Sequence, residues 1–520
     1  MKQFAIHLLV ILTYLSSFAS GQDLKYSEKS KPDLYDPVYG GISFEEERIN
    51  ELLHTGLYGT DRLGSSQYKL AAAFPIYSSN GKEMEIKLRE DIKWSDGKVV
   101  TAEDFIYSWR LLKTMDYSGK NLLKEIKSIS KDPNDDHKLI INLDVKNEDN
   151  SYHRTLDFPL VPEHIVGGMS YSQHDEYAEN PVNVGRYKIS SIKGNILELE
   201  SLYWPHSPQT IDHVRTIQIM FFPAVDQIYR YFSTRSTNFI LDIPGNNMSE
   251  ILSRPQEYGT RDYAANKWSG VAFNNKNDFL ENDEARLALT MLFDRERTIK
   301  NRYFGKASLI TGPFTNGSSF YDETIPPHPF SPEKSKALLE KLGCTWNRDK
   351  KILYNGDPVI LRIITNTSKL SSNDDVALNS FRTNIENLGF ILEQNSISNE
   401  KIFIDKLENK RDEYDMAYIT LKYPGDLGVM DVFHSDGDLN VAQYDDAITD
   451  DLMEQLERAT NNKVRIDLGK KIHRRIHEKT PFIFLWAHNY TAGYNVNQID
   501  NIDIDPMTIF NSVTTWKAIQ

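Results

Sequence analysis

Between residues 84 and 112 the spacing of apolar positions changes once. Met84, Ile86 and Leu88 alternate with charged residues, the period-2 pattern of a half-buried strand. Asp96-Gly97 then supplies a turn. Thr101 is placed to cap a helix, with Asp104 three residues on as an acidic variant of the capping box, and Phe105, Trp109 and Leu112 recur at helical spacing. Strand, turn and capped helix occur together in many folds. Taken alone they specify local structure and no chemistry.

The same two periods recur along the chain. Ile189–Leu202 and Val214–Phe222 read as strands, the first folded about Lys193-Gly194-Asn195. Helical spacing is clear in Glu284–Phe293, in Ser331–Leu342 with Pro332 at the first helical position, and in Tyr444–Glu478. There is no internal repeat, heptad run or long low-complexity segment. A mixed α/β protein follows, and 520 residues suffice for two or three domains.

Composition adds an address. Apolar residues at 40% and charged residues at 26% are globular values. Residues 1–21 read as a cleavable secretory signal: Lys2, an apolar run from Phe4 to Leu15, then Ser17-Phe18-Ala19-Ser20-Gly21. A retained membrane anchor is the alternative, but the run falls short of the about 20 apolar residues that span a bilayer. The single cysteine, Cys344, lies far from any signal cleavage site, which argues against a lipoprotein and forbids an internal disulfide. A free periplasmic protein is expected. Loss of Lys2 with the signal would move the net charge from −14 to −15, so nucleic acid is not an expected partner. Glu45-Glu46-Glu47 and Asp445-Asp446 read as solvated surface.

Catalytic patterns are sparse. His473 and His477 stand at i, i+4, as in helical metal sites, yet without the HExxH order. Lys470, Lys471, Arg474 and Arg475 make a solvated basic face the expected reading there. No GxSxG, P-loop or cysteine dyad is present. No enzyme, metal or cofactor is expected.

The segment LREDIKWSDGKVVTAEDFIYSW, from Leu88 to Trp109, resembles the signature of family 5 extracellular solute-binding proteins of ABC importers, the oligopeptide- and dipeptide-binding family. The resemblance extends over Leu34-Tyr35-Asp36-Pro37, Leu52–Asp61, Asn180–Lys188, Ala272–Asn275 with Asp283–Asp294, Phe330–Gly343 and Lys463–Trp486. It implies a two-lobed, class II-like periplasmic-binding-protein fold with a hinge. Lobe I would combine 22–62, 184–270 and 487–520, an accessory domain 63–183, and lobe II 271–486, with hinges near Gly270–Asn275 and Trp486–Asn489. Ligand in the cleft would favour the closed state, which a membrane permease with its ATPases would read.

What the resemblance implies about the site centres on Tyr418–His434. Peptide-binding members carry an "ADYPDP" loop there, whose first aspartate pairs with the peptide α-amine. Aligning Tyr423-Pro424 on that loop puts Lys422 in the aspartate's place and reverses the charge, so the ligand would offer an anionic or neutral group. Alternatively Lys422 faces solvent and Asp426 or Asp415 takes the amine. Tyr39, Gly40 and Gly41, Tyr117, Trp268, Asn274, Tyr418 and Trp486 fall at or beside ligand-facing positions, with core packing the competing reading for each. The expected function is a monomeric receptor that passes a small peptide or peptide-like solute to an ABC permease. A sensing or chaperoning module without transport is the alternative, and a secreted hydrolase a third reading.

Overall fold

The computed structural model of the chain describes residues 23–36, 44–60, 66–114, 123, 125–144, 153, 156–169, 171–202, 213–303, 305–422, 428–459, 461–504 and 508–519. The signal-like residues 1–21 therefore lie outside the described residues. Strand β1 (Leu24–Glu28) and helix α1 (Phe44–Leu53) come first. Strands β2 (Ile76–Tyr77) and β3 (Glu83–Lys87), helix α2 (Ala102–Thr114), and strands β4 (Ile126–Asp132) and β5 (Asp135–Leu143) follow. Their strands form an antiparallel sheet in the order β2-β3-β5-β4. Next come β6 (Tyr187–Lys193), β7 (Ile196–Ser201) and β8 (Thr216–Phe221), which pair antiparallel while β1 joins β8 in parallel.

The remaining chain builds one seven-stranded sheet. In chain order its elements are β9 (Phe239–Ile240), β10 (Tyr258–Phe273), α3 (Asp283–Thr290), β11 (Ala307–Leu309), α4 (Pro332–Lys341), β12 (Ile360–Asn366), α5 (Ser372–Leu388), β13 (Ile391–Ile397), β14 (Met416–Lys422), α6 (Ala447–Arg458), α7 (Asn462–Lys479) and β15 (Phe482–Asn495). The strands lie in the order β9-β15-β10-β14-β12-β13, with β11 also paired to β15. The parallel pairs β12–β13 and β12–β14 sit among otherwise antiparallel neighbours.

The expected strand, turn and capped helix are all present between β3 and α2. Met84, Ile86 and Leu88 are buried, and Gly97 holds φ +94°, a left-handed value that favours glycine. Only the reach-back half of the capping box forms: Asp104 Oδ2 accepts from the Thr101 backbone N–H at 2.9 Å and from its hydroxyl at 3.2 Å. The same carboxylate accepts from Trp94 Nε1 at 3.2 Å and from the Glu163 N–H at 3.0 Å. Asp104 is thus a buried hub joining Trp94, the start of α2 and the distant Glu163. Asp104→Ala leaves these donors without their acceptor and is expected to cost about 2–3 kcal/mol. Urea unfolding that follows the accessory sheet checks this, and an unchanged midpoint would refute it.

Two helical readings are adjusted by the structure. The Glu284–Phe293 helix stops at Thr290, and the Tyr444–Glu478 pattern is two helices, α6 and α7, rather than one. The second starts afresh because the Asn461 side chain accepts from the N–H groups of Lys463 and Val464. The basic-face reading of α7 also needs correction. His473 is wholly buried, with Nε2 2.9 Å from Thr311 Oγ1, and His477 stacks on His328 at 4.0 Å between ring centres. Arg474 and Arg475 bind Asp322 and Asp446, so only part of this helix is a free cationic surface.

Hydrophobic cores divide the molecule. One, with Leu24, Tyr26, Tyr187, Ile217, Phe510 and Trp516, lies against the β1-β8-β7-β6 sheet. A second, with Leu57, Trp94, Phe105 and Ile141, belongs to the β2–β5 sheet. Two more cover opposite faces of the large sheet, because alternate residues of β10 and β14 point to opposite sides. Trp268, Ala272, Ala417 and Ile419 enter one, while Val271, Phe273, Met416 and Tyr418 enter the other. Strands β10 and β15 run from the first core to this pair.

Candidate functional site

Where β10 and β15 pass between cores, their sequences turn polar. On β10, Tyr263 belongs to the first core and Trp268 to the next, with Lys267 in the interval. On β15, Ala487 and Ala492 mark the same limits and enclose His488, Asn489, Tyr490 and Thr491. Pairing is irregular here. Ala264 faces Asn489 and Trp268 faces Ala487, so residues 265–267 stand opposite His488 alone. A second slip sets Ser269 on Trp486 but Gly270 on Phe484. Bulges of this kind bend a strand and re-aim side chains next to binding sites.

The polar groups form a linked set. Ser269 Oγ lies 2.9 Å from both His488 Nε2 and Thr420 Oγ1, joining β10, β14 and β15. Asp374, in the first turn of α5, accepts from the Tyr303 hydroxyl and from Ser371. Its charge is felt by Tyr303 and Tyr418, whose phenols are pushed up first by burial and then by Asp374. Burial lowers Lys267 to about 8, and Lys29 and Arg48 act in the same direction, against Asp374 and Glu45. Burial likewise lowers His488 to about 4, reinforced by Lys267 and opposed by Asp374. At neutral pH the imidazole is uncharged and the ammonium is mainly charged. On the other side of the crossing, Lys306 Nζ is 2.8 Å from Asp242, whose Oδ1 also accepts from the Thr491 N–H at 3.0 Å. That ion pair ties the loop before β11 to the chain after β9.

The residues singled out from sequence fall into three groups. Tyr39, Gly40, Gly41, Tyr117, Tyr423 and Asp426 lie outside the described residues, and so does the side chain of Lys422. The backbone of Lys422 ends β14 directly opposite Lys267 in the antiparallel register. Tyr418 is buried beside Asp374, at the edge of the polar set. The rest are built into the protein interior. Trp268 and Trp486 are both 0% exposed and present no surface to a ligand in this structure, a correction to their reading as cleft walls. Asn274 is corrected likewise: its amide donates to the carbonyls of Arg411 and Tyr414, and its oxygen accepts from Gln443 and from the Lys276 N–H. Asp415, the alternative amine partner, is held by Arg362 at 3.0 and 2.9 Å and by Asn277 at 3.0 Å. It is a sheet-bracing group.

Sequence reasoning missed Lys267 and His488. Each is a polar interruption within a long apolar strand run, Lys267 before Trp268-Ser269-Gly270-Val271 and His488 after Phe482–Ala487. Among the described residues, one trio could hold a metal ion, Glu90, Asp135 and His137. Lys87 already bridges both carboxylates, at 2.8 and 2.6 Å. No described helix is long and apolar enough to cross a membrane.

Two cores joined by paired strands, with a polar interval at the joint, define a two-lobed binding protein. The profile described as bacterial extracellular solute-binding proteins, family 5 (middle region) matches residues 67–438, and the chain belongs to that family. It is 23% identical over 497 residues to the oligopeptide-binding protein AppA of Bacillus subtilis, covering 90% of this chain and 87% of the relative. The structure of Bacillus subtilis AppA in complex with a nonapeptide matches with a TM-score of 0.76 at 20% identity, over 96% of this chain and 99% of that one. NikZ of Campylobacter jejuni, in complex with Ni(L-His), matches with the same TM-score at 19% identity, over 96% and 100%. The chain is a solute-binding protein with the two-lobed fold of this family.

Proposed function

We propose that the chain captures a peptide or peptide-like solute between its lobes and delivers it to an ABC permease whose partner ATPases supply the energy. The observation that carries this reading is the polar interval of β10 and β15, with Lys267 and His488 between two apolar cores and Ser269, just past Trp268, bonded to His488. Concave sites with few polar groups among apolar walls are where small solutes bind. Lobe I would comprise 22–62, 184–270 and 487–520, the accessory domain 63–183, and lobe II 271–486, with hinges near Gly270–Asn275 and Trp486–Asn489. Tyr39, Gly40, Gly41, Tyr117, Tyr418, Lys422, Tyr423 and Asp426 would complete the cleft. A lysine where peptide receptors place aspartate favours a solute with an anionic or blocked end at that point.

In this reading the protein is a periplasmic monomer, exported by a cleavable signal and carrying no lipid. Cys344 is buried among Leu339, Ile352 and Phe390, away from any anchor chemistry. Closure is a binding event without catalysis and requires no cofactor. Native mass spectrometry of the mature protein, purified gently from its producing cells, tests the proposal. The expected result is a bound small solute, released on denaturation, with a blocked or anionic end. A nickel–histidine complex would replace the peptide class with a metal chelate, and turnover of the released solute by the pure protein would overturn the receptor reading.

A further inference from the structure

Along one edge of β15 the partner changes at the crossing. On that edge β9 pairs with Gly493 and Tyr494, and just beyond β9 the Ile243 N–H donates to the Thr491 carbonyl at 2.8 Å. The next partner comes from a different part of the chain. The Asn489 N–H donates to the Lys306 carbonyl at 2.9 Å, and β11 continues the ladder at His488 and Ala487. Thr491 and Asn489 are consecutive bonding positions on this edge, because alternate residues of an antiparallel strand turn their N–H and C=O groups to the same side. The handover falls between them, and among the described residues no backbone hydrogen bond joins 239–243 to 305–309. What spans the seam is a charged pair. Lys306 Nζ lies 2.8 Å from Asp242 Oδ1, and the same oxygen accepts from the Thr491 N–H at 3.0 Å, in the place a strand carbonyl would fill. By the bounds above, Asp242 and Thr491 belong to lobe I and Lys306 to lobe II. The Lys306 side chain is 18% exposed, so salt screens the pair less than one on the open surface.

We propose that the Asp242–Lys306 pair clamps the two lobes beside the hinge, holding the arrangement seen in this structure and parting when the lobes rotate to another. Its ends lie in different lobes under the lobe division of the receptor reading, on which the clamp therefore rests. Each end is anchored to its own side of the seam. Asp242 holds Thr491, whose hydroxyl donates to Asp262 at 2.6 Å, while Lys306 leads into β11 and its N–H donates to the Tyr303 carbonyl at 2.7 Å. A rotation at the seam shifts the end of β9 against the start of β11. A hydrogen-bonded ion pair loses its short-range part within about an ångström of such movement. A contact made in one arrangement and lost in the other biases the equilibrium between them. Two residues outside the polar interval would thus set the fraction of molecules able to receive a solute and, with it, the apparent affinity.

Pulsed electron–electron resonance on the mature protein reads the distance between lobes. Spin labels are placed at Gln256→Cys in lobe I and Ala337→Cys in lobe II, both exposed positions, on a Cys344→Ala background. With any co-purified solute stripped by denaturation and refolding, Lys306→Met should shift the ratio of lobe arrangements about fivefold away from the one dominant in wild type. Asp242→Asn, which still accepts from Thr491, should give the same shift. The double variant should move no further than either single one, as two halves of one interaction require. Lys306→Arg, which keeps the cation, should restore the wild-type ratio. A lysine that merely supports its own lobe would lower the melting temperature and leave the distances alone. Distances in Lys306→Met and Asp242→Asn that coincide with wild type, or a shift that Lys306→Arg does not reverse, overturn the clamp. A solute found by mass spectrometry then leaves the receptor reading standing. Failure of that reading shows separately, as a protein purified with nothing bound whose lobe distance is the same before and after stripping, and the clamp falls with it.

Discussion

Trp268→Ala is expected to destabilise the protein by about 3–5 kcal/mol, the range for removing a fully buried tryptophan. The indole is wholly enclosed, with ring centres of Phe482 at 5.5 Å, Phe484 at 5.2 Å and Phe433 at 6.5 Å. Its strand neighbours Ser269 and Lys267 carry the polar set of the crossing, so collapse around the vacated volume would also disturb the bulge. Trp268→Phe, which keeps part of the apolar volume, should lose much less. Urea unfolding monitored by near-ultraviolet dichroism measures both variants. A Trp268→Ala protein within about 1 kcal/mol of wild type that nevertheless emerges without its co-purifying solute would return Trp268 to the ligand wall.

Local elements were legible wherever one period dominated. Met84, Ile86 and Leu88 announced a strand, Ser331-Pro332 a helix start, and Gly194 a hairpin turn at φ +57°. The family was legible because its motif is a structural device: Asp104 gathers Trp94, Thr101 and Glu163, and few side chains substitute for a buried acceptor with that reach. The break between α6 and α7 was not, because both helices share one apolar spacing and only the Asn461 cap separates them. The site was hardest. Trp268 and Trp486 look like cleft aromatics by position, but which face of a strand points inward depends on the register slips between β10 and β15. Those slips arise from three-dimensional pairing, and the same slips bring Lys267 and His488 together.

Acidification is expected to unfold the protein in a window set by neutral buried histidines, before its carboxylates respond. Burial lowers His473 to about 3 and His54 to about 4, the first reinforced by His477 and the second opposed by its contact with the Tyr35 carbonyl at 2.8 Å. His328 is lowered to about 4 by burial and by the stacked His477. An unfolded histidine binds its proton near 6.5, whereas the folded ring must stay neutral well below that. These groups therefore contribute stability that is complete above about 6.5 and is lost as pH falls towards their folded values, at about 1.4 kcal/mol per pH unit for each. His54 and His473, both nearly inaccessible to water, together remove about 5 kcal/mol between pH 6.5 and 4.5. The salt-bridged carboxylates act later. Burial would raise Asp322, but hydrogen bonds from Thr324 and Arg474 outweigh it and hold the group at about 2, so its contribution is lost only below the ordinary carboxylate range. The melting temperature should thus fall steeply from pH 6.5 to 4.5. His473→Gln, uncharged throughout, should flatten the slope by about one proton while losing some stability at neutral pH. A wild-type melting temperature independent of pH across that window would mean that these imidazoles admit protons without opening the fold.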